Sequence, residues 1–326
     1  VNIHTKAVKP LIYFSGVGSS GGDELELIKQ GAKYRCYSYA YACRDGFYYQ
    51  KSVEKAMKTS LENNVGIMMD SGAASFHGWQ KKGLRKVGGK FSVRDEVTLR
   101  DGVIKNYVKY VKQREKDWDF YLTFDYVKQC PVIYGVQKRL EKLGINPVPV
   151  FHGDEPIDWF KRYCEEGHKL ICLGSVRRSN KNYRVYFDRV FNMAEKYGVL
   201  LHGLAITSLS LMFGFPWYSV DSATWAKVAA FGCVLTTSDT VNDTFGYIHM
   251  SNKRHGQSRG IEYCELDKFQ KKQLERVVND DGFDVKDLVE DGAKRSLYNI
   301  YVFSHKIAHL KADLNDSRQK WKSLLV

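Results

Sequence analysis

Apolar residues in this chain come in short unbroken runs rather than in alternation. Such runs stand at 11–14, 65–69, 120–124, 148–151, 170–173, 199–204, 218–220 and 233–235. A strand buried on both faces has no polar side to alternate with, so runs of this kind predict interior strands of a parallel sheet. Between them, as at 158–166 and 182–197, apolar residues recur at helical spacing among charges. Eight strand–helix units in alternation predict an α/β chain folded as a (β/α)8 TIM barrel. The first unit is untidy: 34–42 also reads as a strand, which leaves the count open by one. After 236 the pattern changes, first to a polar, glycine-containing stretch, then to amphipathic pieces at 268–278, 285–289, 297–310 and 321–325. This divides the chain into a barrel over 1–250 and a C-terminal helical appendage over 251–326.

In such a barrel chemistry sits at the C-terminal ends of the strands. The polar residues expected there are Ser15, Asp70, Asp125, His152, Gly174, Ser175, Thr207 and Asp221. Each aspartate has a bland reading, because Asp and Ser are favoured helix N-caps. Three aspartates at strand ends also suit chemistry that needs one carboxylate as nucleophile and another as acid/base. Gly16-Val17-Gly18-Ser19-Ser20-Gly21 formally matches a dinucleotide fingerprint. A lone match is weak, and a loop at the barrel mouth is the favoured reading, with Asp23 as N-cap of a helix over 24–30. Of His152 and His202, one is expected to help line the cleft and the other to be a satisfied histidine near the core.

Composition narrows the partners. The seven cysteines are odd in number and contain no CxxC pair, which argues against a disulfide framework and for a reducing compartment. Cys172 and Cys233 lie in apolar runs and are expected to be buried small hydrophobes. No metal and no cofactor is expected. The apolar runs are far short of a membrane span, and the N-terminal residues lack a signal peptide's apolar core, so a cytoplasmic protein without membrane contact is expected. The net charge is +13. It is concentrated at 81–116, with twelve Lys/Arg against four Asp/Glu, and at 177–196, with six against two. Around Phe76 and Trp79, glycines alternate with Lys81, Lys82, Arg85, Lys86 and Lys90 without helical periodicity. Such a loop suits a phosphate backbone and stacked bases. Together with Arg177 and Arg178 it is the expected nucleic-acid interface.

Asp70-Ser71-Gly72, Phe124-Asp125, Val150-Phe151-His152-Gly153, Leu173-Gly174-Ser175, His202-Gly203-Leu204-Ala205-Ile206-Thr207 and Ser219-Val220-Asp221-Ser222 occur in the order seen in tRNA-guanine transglycosylases. The chain resembles these (β/α)8 enzymes over about residues 11–240. They exchange guanine in nucleic acid for a 7-deazaguanine base. The resemblance implies that Asp221 is the nucleophile at C1′ of the sugar and that Asp70 is the acid/base for the two bases. It implies that Asp125 accepts from the Watson–Crick edge of guanine. His152, Gly153, Gly174 and Ser175 would surround the base's other polar edge, with Ser71, Gly72 and Phe76 also at the base. His152 stands where the family has Gln, and Ser175 where it has Gly. The family's Asp-Ser-Gly-Gly-Phe-Gln loop runs Asp70-Ser71-Gly72-Ala73-Ala74-Ser75-Phe76 here, which displaces the aromatic. The C-terminal CxCxxC zinc motif has no counterpart, Cys264 being the only cysteine after Cys233.

These departures and the basic insertion lean toward the related DpdA-type enzymes of phages and bacteria, which place 7-deazaguanines in DNA. The expected function is therefore DNA-guanine transglycosylation through a covalent Asp221 intermediate. Expected partners are DNA, a free 7-deazaguanine base and a possible helper ATPase. The alternatives are a tRNA-guanine transglycosylase without the zinc site, a non-catalytic nucleic-acid-binding paralogue, and an unrelated barrel enzyme acting on a small phosphorylated substrate.

Overall fold

The computed structural model describes residues 10–16, 23–43, 48–73, 75–76, 93–125, 129–153, 155–174, 183–206, 209–236, 246–252 and 261–306. Eight strands form one sheet: β1 (Leu11–Ser15), β2 (Tyr34–Ser38), β3 (Gly66–Asp70), β4 (Phe120–Tyr121), β5 (Val150–His152), β6 (Leu170–Gly174), β7 (Leu200–Gly203) and β8 (Ser219–Ser222). Their order is β4-β3-β2-β1-β8-β7-β6-β5. A parallel bridge between Leu122 and Val148 joins the two edges, β4 and β5. Helices alternate with the strands. This is a (β/α)8 barrel, followed later in the chain by further helices.

One expected strand changes place. The run at 233–235 does form a strand, β9 (Cys233–Thr236), but it lies outside the barrel. It pairs antiparallel with β10 (Gly246–His249), which pairs with β11 (Ile261–Glu262) in a separate three-stranded sheet. The eighth barrel strand is instead β2. Its apolar run is interrupted by Arg35, fully buried with its guanidinium 5.6 Å from the centre of the Tyr37 ring. The partner of β9 reads as polar loop, so an apolar run alone does not say which sheet receives it.

By contacts the chain gathers into two compact units, 35–204 and 1–34 with 205–326. The 35–204 unit holds β2 to β7. Met68, Met69, Val150, Phe151, Ile171, Cys172 and Leu173 are fully buried there, as runs without alternation require. The other unit pairs β1 with β8 in parallel, setting Tyr13 opposite Asp221. The helix Glu24–Lys29 follows β1, and its expected cap is in place: the Asp23 carboxylate accepts from the Leu25 N–H at 3.1 Å. Further on, the helices Thr224–Ala230 and Gly292–Tyr301 and strand β9 are tied by the buried Asn299. Its Oδ1 accepts from the Leu235 N–H at 2.7 Å, and its Nδ2 donates to the Trp225 carbonyl at 3.0 Å. Helices Lys268–Asp280 and Val285–Glu290 also belong to this unit. Among the described residues no helix is long and apolar enough to cross a membrane.

Candidate active site

In the 35–204 unit, β3 delivers Asp70 to its C-terminal end, and the carboxylate accepts from the Gly72 N–H at 3.0 Å. Gly72 has φ +75°, and a Cβ there would lie 2.4 Å from Cβ of Ala40 and 2.9 Å from Oγ of Ser38. Only glycine fits this turn, which leads straight from the carboxylate. The neighbouring Ser71 is fully buried, and its hydroxyl donates to Oδ1 of Asp125 at 3.5 Å. Nε2 of the buried His152 lies 3.3 Å from Oδ2 of Asp125. The His152 ring rests on the backbone of Gly174, where a Cβ would come within 3.0 Å of Nδ1. A Cβ on Gly153 would meet the Tyr186 hydroxyl at 3.1 Å. These glycines keep the ring of His152 and the phenol of Tyr186 close to backbone. Thus Asp70, Ser71, Gly72, Asp125, His152, Gly153 and Gly174 stand at the C-terminal ends of β3 to β6.

Phe76 packs 5.8 Å from Phe124 and 6.0 Å from Tyr39, centre to centre. The displaced aromatic is therefore one member of a ring cluster beside Asp125. Tyr107 closes the cluster from behind, 5.0 Å from Tyr39, and its hydroxyl donates to the Leu122 carbonyl at 2.6 Å. Burial, and then the negative charge of Asp70, push the Tyr107 phenol far above its usual range. Next to the carboxylates it stays a neutral donor. The sequence pattern gives no role to Tyr107 or Tyr186, because both sit on helices whose periodicity marks them only as core.

In the other unit, β8 ends at Asp221 and Ser222. The bland reading of this aspartate as a helix cap does not hold. Ser222 Oγ accepts from the Thr224 N–H at 3.2 Å at the start of the following helix. Asp221 instead accepts from the Ser15 hydroxyl at 2.7 Å through Oδ2 and from the Ala205 N–H at 2.8 Å through Oδ1. Two donors on a carboxylate favour its ionised form. This arrangement can serve a nucleophile, which must be an anion with fixed orientation.

His202 is fully buried, its ring 5.4 Å from Phe120 in an edge-on contact. It is the core histidine of the pair, and His152 is the one beside the acids. Among the described residues no group of three His, Cys, Asp or Glu side chains is placed to hold a metal. Ser175, Trp79, Lys81, Lys82, Arg85, Lys86, Lys90, Arg177 and Arg178 lie outside the described residues, as does most of the glycine-rich turn after β1.

No known family model matches this chain, and no curated protein does. Several solved structures align with this chain. A chain of the tryptophan synthase α2β2 complex from Pyrococcus furiosus is 11% identical, with 69% of this chain and 91% of that one covered, at a TM-score of 0.38. The tryptophan synthase alpha chain from Legionella pneumophila is also 11% identical, covering 67% and 80%, at 0.39. A protein from Aquifex aeolicus is 14% identical, covering 68% and 86%, at 0.39.

Proposed function

We propose that this protein is a base-exchanging transglycosylase that replaces guanine in DNA by a 7-deazaguanine. The observation that carries the reading is the setting of Asp221, an acid at a barrel strand end held through both oxygens by donors and not the N-cap of the helix that follows, which is Ala223. In this reading a lone pair of Asp221 forms a bond to C1′ of the sugar while the C1′–N9 bond breaks. The electron pair of that bond leaves with guanine, which takes a proton from Asp70. The incoming base then gives its N9 proton to Asp70 and attacks C1′, and the Asp221 carboxylate departs. Two displacements retain configuration, as in retaining glycosidases.

Asp125 supports the reading as an acceptor for guanine N1–H and N2–H, a pair of donors that adenine lacks. Its contacts with Ser71 and His152 orient the carboxylate before a base arrives. The target nucleotide has to leave its stack for C1′ to be reached, and Phe76, half-buried and backed by the buried rings of Phe124 and Tyr39, offers an apolar face for the extruded base. The choice of DNA over tRNA follows the departures from the tRNA enzymes' pattern at His152, Ser175 and the zinc motif.

Exchange of a labelled guanine into DNA and into tRNA, by wild type and Asp221→Ala, tests this. Incorporation into DNA alone, lost in the variant, is the expected result. Incorporation into tRNA alone overturns the choice of nucleic acid. Undiminished exchange by Asp221→Ala overturns the nucleophile.

A further inference from the structure

Ser15 is the last residue of β1, which lies beside β8 in a register that sets Phe14 opposite Ser222. Two contacts define its place. The fully buried Trp225 donates from Nε1 to the Ser15 carbonyl at 2.9 Å, which fixes the main chain. The Ser15 hydroxyl then donates to Oδ2 of Asp221 at 2.7 Å. The other carboxylate oxygen takes the Ala205 N–H at 2.8 Å, from a residue at φ +55°. A non-glycine residue in the left-handed region is strained, and here the strain coincides with an amide aimed at the nucleophile. A short hydroxyl–carboxylate bond is of the charge-assisted kind.

We propose that Ser15 is a positioning residue for Asp221. Its hydroxyl, opposed by the Ala205 amide, fixes the plane of the carboxylate and holds it ionised. A carboxylate without the hydroxyl loses the donor on Oδ2, is less firmly held about its Cβ–Cγ bond and takes up a proton more readily. The hydroxyl does not by itself block attack, since each carboxylate oxygen accepts more than one bond. The catalytic consequence rests on the transglycosylase reading, but the effect on the carboxylate itself does not.

Ser15→Ala and Ser15→Thr in the full chain test this with two readouts. The first is the pH dependence of labelling of Asp221 by a water-soluble carbodiimide and an amine, quantified on the Asp221 peptide by mass spectrometry. Carbodiimide activates the protonated carboxyl, so the midpoint reports ionisation. The midpoint is expected to rise by about one pH unit in Ser15→Ala and to return in Ser15→Thr. The second is guanine exchange, where kcat is expected to fall roughly 10- to 100-fold in Ser15→Ala, with KM nearly unchanged and activity recovered in Ser15→Thr. An unmoved midpoint overturns the proposal, as does a rise in KM at constant kcat, which would make Ser15 a substrate contact. Should wild type exchange no base into either nucleic acid, the transglycosylase reading falls while the labelling midpoint still decides the role of Ser15. If Ser15→Ala melts early, Ser15→Cys, whose thiol is a weak donor, carries the same comparison.

Discussion

At the scale of single residues, the three strand-end aspartates have different surroundings, and their substitutions should fail differently. Asp221→Asn keeps the shape and loses the anion, so exchange should drop to background while nucleic acid still binds; single-turnover assays and gel shifts separate the two. On the transglycosylase reading, Asp125→Asn sets an amide where the guanine donors need an acceptor, and it leaves His152 without the carboxylate beside it. Its effect should appear mainly as a raised KM for the base, with a loss of about 2 kcal/mol, typical of a hydrogen bond to a charged group. Gly72→Ala is expected to cost more in structure than in chemistry. The new Cβ is strained at φ +75° and meets Ala40 at 2.4 Å. A destabilisation of about 2 kcal/mol or more, read as a lower midpoint in urea, follows from that clash. Asp-Ser-Gly is visible in the sequence, but the reason Gly72 has to be glycine is Ala40, thirty-two positions earlier in the chain.

Elements were legible where one signal sufficed. Asp23 stands just before an amphipathic stretch, and the structure shows it capping that helix. The strands ending at Asp70 and Asp221 follow from apolar runs that end in a carboxylate. The membership of β2 and β9 was not legible. The stretch 34–42 reads as a strand in the sequence, and only its place among the eight is left open by the arginine within it; β9 pairs antiparallel with a stretch whose composition is that of a loop. The helix packed after β5 makes a separate prediction about pH. Its C-terminal side carries Glu166 and His168 beside Lys138 and Glu141. Burial holds His168 below the usual histidine value of 6.5, against the pull of Glu141. Burial would raise the Glu166 carboxyl, but hydrogen bonds from Lys138 and Tyr134 outweigh it and lower it from 4.5. Above pH 6.5 neither group changes protonation on unfolding. As pH falls below 6.5 the unfolded chain binds a proton at His168 before the folded one does, and below 4.5 the same holds at Glu166. Stability is therefore lost toward acid through both folded values. His168→Gln should flatten the first part of that loss in melting temperatures recorded from pH 7 to about 5.

For the whole molecule, the net charge of +13 is the property that bears on partners. If the substrate is a polyanion, DNA affinity measured by fluorescence anisotropy should weaken about a hundredfold or more between about 50 and 200 mM salt. A flat salt response would favour a small substrate instead. The barrel itself was written in the alternation of apolar runs and amphipathic stretches, because burial on both faces of a strand and on one face of a helix leaves marks in local sequence. So were the residue types at the strand ends. Local sequence has no means of recording which donors meet those residues in space. That Ser15 and Ala205 grip Asp221, and that His152 rather than His202 stands beside Asp125, are contacts between residues well separated in the chain. Strand pairing and register decided them, and those exist only once the chain has folded.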